Sequence, residues 1–234
     1  MSGKLYGLGV GPGDPELITV KALRLLRAAE VVAYPAPEGG TSFARAIVAR
    51  WLVPSQHEIA IRMPIEAARF PAQQVYDSAA AEIAGHLEAG SDVVVLCQGD
   101  PFFYGSFMYL FARLAERFPV EIVPGVSSLT ACAAAAAWPL AARDDALIAL
   151  PASLGDDELA RRLEAAEAAA LIKLGRHFAR VRSLLKRLGL THHARYIEHA
   201  TLASARVLPL DAVDAAEVPY FSMILLHRRG VAWR

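Results

Sequence analysis

The run Val93–Cys97, VVVLC, constrains the fold of this chain more than any other segment. It has no polar residue, so both of its faces are apolar, which is typical of the central strand of a parallel sheet. Such a sheet carries helices on both sides, and helix-like segments stand before and after this strand in the sequence. The segment therefore predicts an α/β fold.

Strand-like and helix-like segments alternate along the whole chain. In the first half, strands are predicted at residues 5–10, 31–34, 58–61, 93–97 and 121–123, and helices at residues 15–30, 41–52, 73–88, 107–118 and 127–137. In the second half, strands are predicted at residues 146–150, 170–174, 195–198 and 220–226, and helices at residues 156–168 and 178–188. Pro15 is expected at the first helical position, and Pro35 with Pro37 is expected to close the second strand. The alternation predicts two α/β domains, residues 1–125 and 126–234, with a mostly parallel sheet in the first.

The charge and cysteine content narrow the class of protein. With 24 basic and 24 acidic residues among 234, the formal net charge is zero, so no global field favours nucleic acid or an anionic membrane. The start of the chain shows no signal-peptide pattern, and no apolar run approaches the ~20 residues that span a bilayer. Cys97 and Cys132 lie in apolar surroundings without ligand spacing, which predicts buried free thiols in a reducing compartment. We therefore expect a cytoplasmic protein with no nucleic-acid or membrane partner.

The glycine-rich segment GLGVGPGDP, residues 7–15, raises the question of whether it holds a phosphate. The dinucleotide fingerprint needs Gly at i, i+2 and i+5, and no glycine of the segment starts that pattern. The phosphate-loop pattern fails because Asp14 rather than Lys follows Gly13. Asp14 and Glu16 would also stand at a helix N-terminus, where they suit the helix dipole and repel a phosphate. The segment is therefore expected to approach something other than a pyrophosphate, or to be a tight turn with no ligand.

Two further unusual loops also follow predicted strands: QGDPFFYGS at residues 98–106 and PGVSS at residues 124–128. In parallel α/β sheets, ligands bind outside the carboxyl ends of the strands. Gly99 and Gly125 allow the backbone to approach a ligand, and Pro101 and Pro124 stiffen the turns. The three loops together therefore predict one binding site, although Asp100 taken alone is typical of a helix cap or a turn.

These three loops, in this order, resemble the tetrapyrrole methylases, a family of methyltransferases that use S-adenosylmethionine. Later segments fit the same family: IKLGRH at residues 172–177, YIEHATLASARV at residues 196–207 and PYFSMILLHRR at residues 219–229. The resemblance therefore extends over nearly the whole chain. Within the family, the opening segment and the GDPFFYGS and EHATL forms resemble the branch that methylates C20 of precorrin-2, giving precorrin-3A, in cobalamin biosynthesis.

The resemblance implies an active-site trough between two α/β domains, a homodimer, and S-adenosylmethionine as the cofactor. It also implies that the first glycine loop touches the cofactor chiefly through Pro12, which accounts for the failed phosphate fingerprints. The other implied cofactor-binding residues are Gln98, Gly99, Asp100, Pro101, Ser127, Ser128, Leu174, Ala200 and Ser222. The seven histidines form no metal-ligand pattern, so no metal site is expected.

The implied acceptor, C20, is an enamine-like carbon that needs little covalent help. Catalysis is therefore expected to consist mainly of aligning carbon, methyl and sulfur and of excluding water. Tyr104 and Asp100 are the candidates for a base that redistributes protons after the transfer. Arginines recognise carboxylates well, and the substrate is a polycarboxylate. The candidate clamps are Arg45, Arg62, Arg143 and Arg176, although a solvated surface arginine is the favoured interpretation of each. Glu198 is interpreted as structural rather than catalytic.

Several alternatives stay open. The acceptor could be cobalt-precorrin-2, another position of the macrocycle, or uroporphyrinogen. Outside that substrate class stands a methyltransferase of protein or RNA residues, and the absence of a basic stripe counts against RNA. A noncatalytic small-molecule binding protein with two α/β lobes is a further alternative, whereas the failed fingerprint disfavours a nicotinamide dehydrogenase.

Overall fold

The computed structural model describes residues 2–64 and 73–230 of the chain. The chain divides into two compact units, Met1–Ser127 (unit 1) and Ser128–Arg234 (unit 2). Each unit contains a five-stranded sheet with accompanying helices, which confirms the predicted α/β class and its two domains. The exact boundary, between residues 125 and 126, stays a prediction. So does the proposal that the second domain contributes residues to a cofactor site.

The sheet of unit 1 is parallel in all four of its strand pairs. Its strands are β1 Leu5–Gly9, β2 Val31–Pro37, β3 His57–Met63, β4 Val93–Cys97 and β5 Val120–Val123, in the order β3-β2-β4-β1-β5. Strand β4 lies at the centre of the sheet and all five of its residues are buried, as a strand with two apolar faces requires. The parallel sheet predicted for the first half of the chain is therefore confirmed.

Helices cover both faces of this sheet. They are α1 Val20–Ala28, α2 Phe43–Val48, α3 Gln73–Glu88 and α4 Phe107–Leu114. Successive side chains of a strand point to opposite faces, so β4 contributes to two buried clusters. Val93 and Val95 pack in the cluster with α3 and α4, while Val94 and Leu96 pack in the cluster with α1 and α2. Unit 1 therefore has a core on each side of its sheet.

The first helix was predicted as one continuous helix over residues 15–30, and the structure has two separate helices there. Pro15–Leu17 form a short 3₁₀ helix with Pro15 in its first turn, and Asp14 caps it by accepting the Glu16 N–H at 2.8 Å. Helix α1 begins only after Thr19, whose Oγ1 accepts a backbone N–H of the first turn. A threonine cap therefore restarts the helix where the apolar spacing alone predicted a continuous one. The predicted helix 41–52 is likewise shorter, since α2 is followed by the separate 3₁₀ helix Ala49–Trp51.

The predicted end of the second strand before its prolines is also wrong, because β2 continues to Pro37 in register with β3. The Glu38 N–H donates to the Met63 carbonyl on β3 at 2.9 Å, so the even-numbered positions of this stretch face β3. Pro35 and Pro37 therefore face the β4 side, where the pairing of β2 with β4 has already ended at Ala33. Their missing N–H groups remove no ladder hydrogen bond, which is how a strand accommodates proline.

Unit 2 has a mixed sheet that follows α5 Ser128–Ala135. Its strands are β6 Leu147–Pro151, β7 Ala168–Ile172, β8 Ala194–Glu198, β9 Arg206–Leu208 and β10 Ser222–His227, in the order β6-β7-β10-β8-β9. The pair β6–β7 is parallel and the other three pairs are antiparallel. The helices α6 Asp156–Glu164 and α7 Phe178–Arg187 follow β6 and β7.

In unit 2, the alanine-rich segment between α6 and β7 was predicted with the wrong bounds. The helix predicted at residues 156–168 ends at Glu164, and β7 begins two residues before the predicted strand 170–174. Alanine has the highest helix propensity, but Ala168–Ile172 lies between two strands with every residue buried, and that tertiary environment decides its structure. Strand β9 was not predicted.

Cys97 and Cys132 are free and buried, which confirms the predicted buried thiols. Burial raises the pKa of the Cys132 thiol to about 12, and it raises the pKa of Cys97 as well, so neither thiol is a thiolate at neutral pH. Within residues 2–64 and 73–230, no helix has the length and hydropathy needed to cross a bilayer.

Candidate functional site

The three unusual loops of unit 1 leave the sheet at one edge. Strands β1, β4 and β5 are parallel neighbours, with Gly9 opposite Cys97 and Leu8 opposite Val123. The segments GLGVGPGDP, QGDPFFYGS and PGVSS therefore emerge side by side at the carboxyl ends of these strands, where α/β sheets bind their ligands. The convergence expected from the sequence is what the fold produces.

The glycines of these loops serve contacts between backbones. The Gly99 N–H donates to the Gly11 carbonyl at 2.8 Å. A Cβ on Gly125 would lie 2.1 Å from the Gly99 oxygen, and a Cβ on Gly9 would lie 2.4 Å from the Gly125 nitrogen. Real Cβ atoms do not come that close, so glycine is required where the three loops meet. The opening glycine segment is therefore built to pack against its neighbouring loops rather than to surround a phosphate.

The Asp100 carboxylate ties two of the loops together. Its Oδ1 accepts the Phe102 and Phe103 N–H groups at 2.9 and 3.1 Å, and its Oδ2 accepts the Gly125 N–H at 3.1 Å. Three backbone donors therefore occupy the carboxylate, which combines the turn role considered for Asp100 with a link to the third loop. Its predicted roles as a base and as a cofactor contact stay predictions.

The other predicted residues of unit 1 differ in accessibility. Pro12, Gly99 and Pro101 are buried, Gln98 and Ser127 are half-buried, and Ser128 is exposed at the start of α5 in unit 2. Tyr104, the second candidate base, is 40% exposed and packs edge-on against Phe103. The ring of Tyr104 is therefore accessible to a ligand.

Three predicted residues of unit 2 meet at one edge of its own sheet. Strands β7 and β8 run in the same direction on either side of β10, with Ile172 and Ile197 both opposite Met223. Leu174 after β7, Ala200 after β8 and Ser222 at the start of β10 therefore lie at the same edge. The Leu174 side chain is fully buried in the core, and the Ser222 hydroxyl donates to the Pro219 carbonyl at 2.6 Å. Leu174 could therefore offer a ligand its backbone rather than its side chain.

Left-handed backbone conformations cluster at these positions. Six non-glycine residues of the described chain have positive φ, and four of them lie in the loops just named. They are Tyr104 at 55°, Lys173 at 58°, His199 at 50° and Thr201 at 76°. The value for Thr201 is notable because β-branched residues rarely adopt it. Such conformations persist where the surrounding structure imposes them, and they concentrate at functional sites.

Glu198, which the sequence analysis interpreted as structural, is a buried carboxylate beside Ala200 and Ser222, and its hydrogen-bond partners were not predicted. Glu198 accepts hydrogen bonds from the Tyr196 hydroxyl and from Nε of Arg206. Burial acts to raise the pKa of Glu198, but the hydrogen bonds from Arg206 and Tyr196 outweigh it and hold the pKa below its usual value. The pKa of Tyr196 is raised by its burial and by the neighbouring carboxylate. No local signal indicates this pairing, because Arg206 belongs to a strand that the sequence did not predict.

The candidate clamp arginines divide into two pairs. Arg45 holds the Glu58 carboxylate through Nε at 2.5 Å and Nη2 at 2.8 Å, and Arg62 donates to the Pro37 and Gly40 carbonyls. Arg143 and Arg176 are exposed. Binding of a substrate carboxylate by Arg45 would therefore compete with an existing ion pair, and the clamp role of all four arginines stays a prediction.

The edge groups of unit 1 fit a ligand such as S-adenosylmethionine, which has adenine, ribose and amino-acid groups but no phosphate. The Asp14 carboxylate already occupies an N–H at the start of the 3₁₀ helix, where a phosphate would have to lie. The Gln98 amide, the Ser127 hydroxyl and the loop backbone are neutral donors and acceptors of the kind this cofactor needs, and so is the hydroxyl of Ser128, the first residue of unit 2. Among the described residues, no three or more His, Cys, Asp or Glu side chains are grouped to hold a metal ion.

The fold of this chain is similar to the folds of solved methyltransferases. The structure of a cobalt precorrin-4 methyltransferase covers 96% of this chain, and 94% of its own, with a TM-score of 0.76 and 26% identity. The uroporphyrin-III C-methyltransferase from Thermus thermophilus, solved with S-adenosylhomocysteine, covers 96% of this chain and 97% of its own, with a TM-score of 0.69 and 26% identity.

Residues 4–215 match the sequence model of the Tetrapyrrole (Corrin/Porphyrin) Methylases, and the chain belongs to this family. The family resemblance stated from the sequence motifs is therefore confirmed.

Curated relatives are similar over almost the whole chain. The cobalamin biosynthesis protein CobIJ of Mycobacterium tuberculosis is 47% identical over 96% of this chain and 46% of the relative, so the chain spans about half the length of that protein. The precorrin-2 C(20)-methyltransferase of a Sinorhizobium species is 40% identical over 96% of this chain and 95% of its own. The cobalt-precorrin-2 C(20)-methyltransferase of Salmonella typhimurium is 33% identical over 98% of both chains.

Proposed function

We propose that this protein transfers a methyl group from S-adenosylmethionine to C20 of precorrin-2, in cobalamin biosynthesis. The observation that carries the proposal is the 40% identity to the Sinorhizobium precorrin-2 C(20)-methyltransferase, which extends over 95% of that relative. The Sinorhizobium protein is matched over nearly its whole length and its name gives one activity. It therefore supports this proposal better than CobIJ, which is more similar in sequence but about twice as long as this chain.

The geometry of unit 1 supports this proposal at the level of chemistry. When bound, S-adenosylmethionine supplies an electrophilic methyl group on a sulfonium. The chain's task is then to bind, orient and exclude water, since the acceptor carbon is itself reactive. Gln98, Ser127 and Ser128 would hydrogen-bond the cofactor beside Pro12 and Pro101, while Asp100 keeps the loops in place through Phe102, Phe103 and Gly125.

Cobalt-precorrin-2 is the second candidate acceptor. The Salmonella relative is named as a methyltransferase of that compound, and it matches over 98% of both chains. The two acceptors share the same C20 and the same peripheral carboxylates, so the same site could serve either.

An anaerobic assay tests the proposal. The purified protein is incubated with ¹³C-methyl S-adenosylmethionine and either precorrin-2 or cobalt-precorrin-2, and the product is examined by mass spectrometry and NMR. We expect a single labelled methyl at C20, and the faster acceptor identifies the metal state. A methyl at another carbon, or none on either acceptor despite bound S-adenosylhomocysteine, would contradict the proposed substrate.

The same assay tests Tyr104 as the base. Tyr104→Phe keeps the accessible ring and removes its hydroxyl, so we expect lower turnover with unchanged affinity for S-adenosylhomocysteine in calorimetry. Unchanged turnover would exclude the hydroxyl from the reaction.

A further inference from the structure

A row of polar side chains crosses three strands of unit 2 at the edge that carries the predicted cofactor residues. Ser222 on β10 is directly opposite Glu198 on β8, and Glu198 is directly opposite Arg206 on β9. Residues that face each other across a sheet point to the same side, and so does Tyr196, two positions before Glu198. The four side chains therefore form one group, which we call the Glu198 row.

Within the Glu198 row, hydrogen bonds surround the buried carboxylate of Glu198. The side chain of Glu198 is 4% exposed, and its two oxygens accept from Arg206 Nε and from the Tyr196 hydroxyl. The Ser222 hydroxyl, on the residue directly opposite Glu198, donates to the Pro219 carbonyl at 2.6 Å. A buried carboxylate that loses its cation is strongly unfavourable, so Glu198 and Arg206 hold each other in place.

Glu198 and Arg206 also close the base of a loop. Strands β8 and β9 are antiparallel, and the facing pair Glu198 and Arg206 is the last pair before the connecting residues 199–205. This connection contains Ala200, and it contains the left-handed residues His199 and Thr201 on either side of it. A conformation of this kind needs support from the surrounding structure, and the ion pair is the support at its base.

We propose that Glu198 is a positioning residue: with Arg206 and Tyr196 it fixes the backbone at Ala200 and the Ser222 side chain in the arrangement that binds the cofactor. Glu198 itself does not touch the cofactor in this proposal. The inference rests on the proposed function, because Ala200 and Ser222 are cofactor-binding residues only if the protein is a methyltransferase of this kind.

Unit 2 offers a matched control for a buried carboxylate. The Asp145 side chain is 3% exposed and pairs with Arg229 at 2.6 Å, much as Glu198 pairs with Arg206. Asp145 also accepts from His227, which ends β10, whereas Ser222 begins it, so Asp145 lies at the opposite edge of the same sheet. Asp145→Asn therefore removes a comparable charge from the same unit without disturbing the proposed positioning group.

The first measurement is the affinity of the 234-residue chain for S-adenosylhomocysteine by calorimetry. We expect Glu198→Gln to weaken binding by about tenfold, the size of coupling seen between contacting groups. Asp145→Asn should bind as the wild type does, even though it also lowers Tm. Wild-type affinity in Glu198→Gln, with a loss of Tm like that of Asp145→Asn, would overturn the positioning role.

If Glu198→Gln does not fold, substitutions of Arg206 give the same test, because the Arg206 side chain is the exposed partner of the ion pair. Arg206→Gln should weaken binding as Glu198→Gln does, and the double variant should be no weaker than the single ones, since both remove one interaction. Arg206→Lys keeps the positive charge and should recover most of the affinity. Additive losses in the double variant would contradict the coupling.

Hydrogen exchange gives a readout that needs no ligand. Within the connection 199–205, the Leu202 N–H donates to the His199 carbonyl at 2.9 Å and the Ala205 N–H to the Leu202 carbonyl at 3.0 Å. These amides should exchange faster in Glu198→Gln than in Asp145→Asn, and equal exchange would overturn the proposal. A wild-type protein that binds no S-adenosylhomocysteine would instead overturn the proposed function, and this inference with it.

Discussion

Gly125 lies where three loops of unit 1 meet, and its lack of a side chain lets their backbones touch. Its nearest neighbours are the carbonyl of Gly99 and the Cα of Gly9. Both neighbours belong to the main chain, so they cannot rotate away as a side chain could. The Asp100 carboxylate then binds the Gly125 N–H, which fixes the third loop against the second. The edge of the sheet is therefore shaped by a contact that tolerates no Cβ.

Gly125→Ala should consequently destabilise the protein. The new Cβ would lie 2.1 Å from the Gly99 oxygen, and overpacking of this kind costs about 1–3 kcal/mol. Urea denaturation of the variant measures the loss in the free energy of unfolding. Gly85→Ala is the control with the opposite sign: Gly85 lies inside α3 with nothing within 4 Å of an added Cβ. Alanine there should stabilise by about 0.5–1 kcal/mol. A Gly125→Ala protein as stable as the wild type would contradict the packing of the three loops.

At the scale of elements, Asp145 joins the segment before β6 to the end of β10. Its Oδ2 accepts the Ala142 N–H at 2.8 Å and lies 3.1 Å from Nε2 of His227, while Arg229 Nη2 lies 2.6 Å from Oδ1. These groups, the Ala142 N–H first, lower the pKa of Asp145 from its usual 3.8 to about 2. The ionised form is therefore the one that the folded protein binds.

This shift predicts how the contribution of Asp145 changes with pH. A carboxyl whose pKa is lower in the folded state stabilises it above the unfolded pKa, and that stabilisation is lost as pH falls through the folded pKa. The difference in the free energy of unfolding between wild type and Asp145→Asn should hence shrink as pH falls from about 4 towards 2. Urea titrations at several pH values measure it. A difference that stays constant down to pH 3 would mean that the ionised carboxylate is not what stabilises this junction.

Elements with long or two-sided apolar patterns could be predicted from the sequence. Helix α3 was predicted with the bounds that the structure has, and so was β4. Strand β9 has three residues, two of them exposed, and forms by pairing with β8, so its own sequence carries no apolar pattern. Local propensity also failed at Ala168–Ile172, where burial between strands decides the conformation.

The candidate site also has features that the sequence predicts and features that it does not. Glycines and prolines at strand ends predict that loops gather at one edge, because parallel strands place their carboxyl ends together. The partners of Asp100 could not be predicted, since Gly125 lies 25 positions further along the chain and meets Asp100 only after folding. The pairing of Glu198 with Arg206 depends on the register of a strand that was not predicted, and the left-handed φ of Thr201 depends on that same hairpin.

At the scale of the whole molecule, unit 1 has what an independent domain needs. Its strands form one complete sheet, and a buried cluster lies on each face, one with α3 and α4 and one with α1 and α2. Domains of about 100–150 residues with their own core commonly fold alone.

The fragment of residues 1–127 should therefore fold when expressed by itself. We expect mixed α/β circular dichroism and one cooperative urea transition, with an m-value of about 1–3 kcal/mol/M because most of its apolar surface becomes exposed on unfolding. Leu96→Asp is the matched control: Leu96 is fully buried on β4, and a charge there should abolish the transition. A fragment that melts without cooperativity, as the control is expected to, would mean that the sheet and two clusters of unit 1 are not sufficient for its stability. Cooperative unfolding would instead place the determinants of this sheet, including the Gly9, Gly99 and Gly125 contacts, within the first 127 residues.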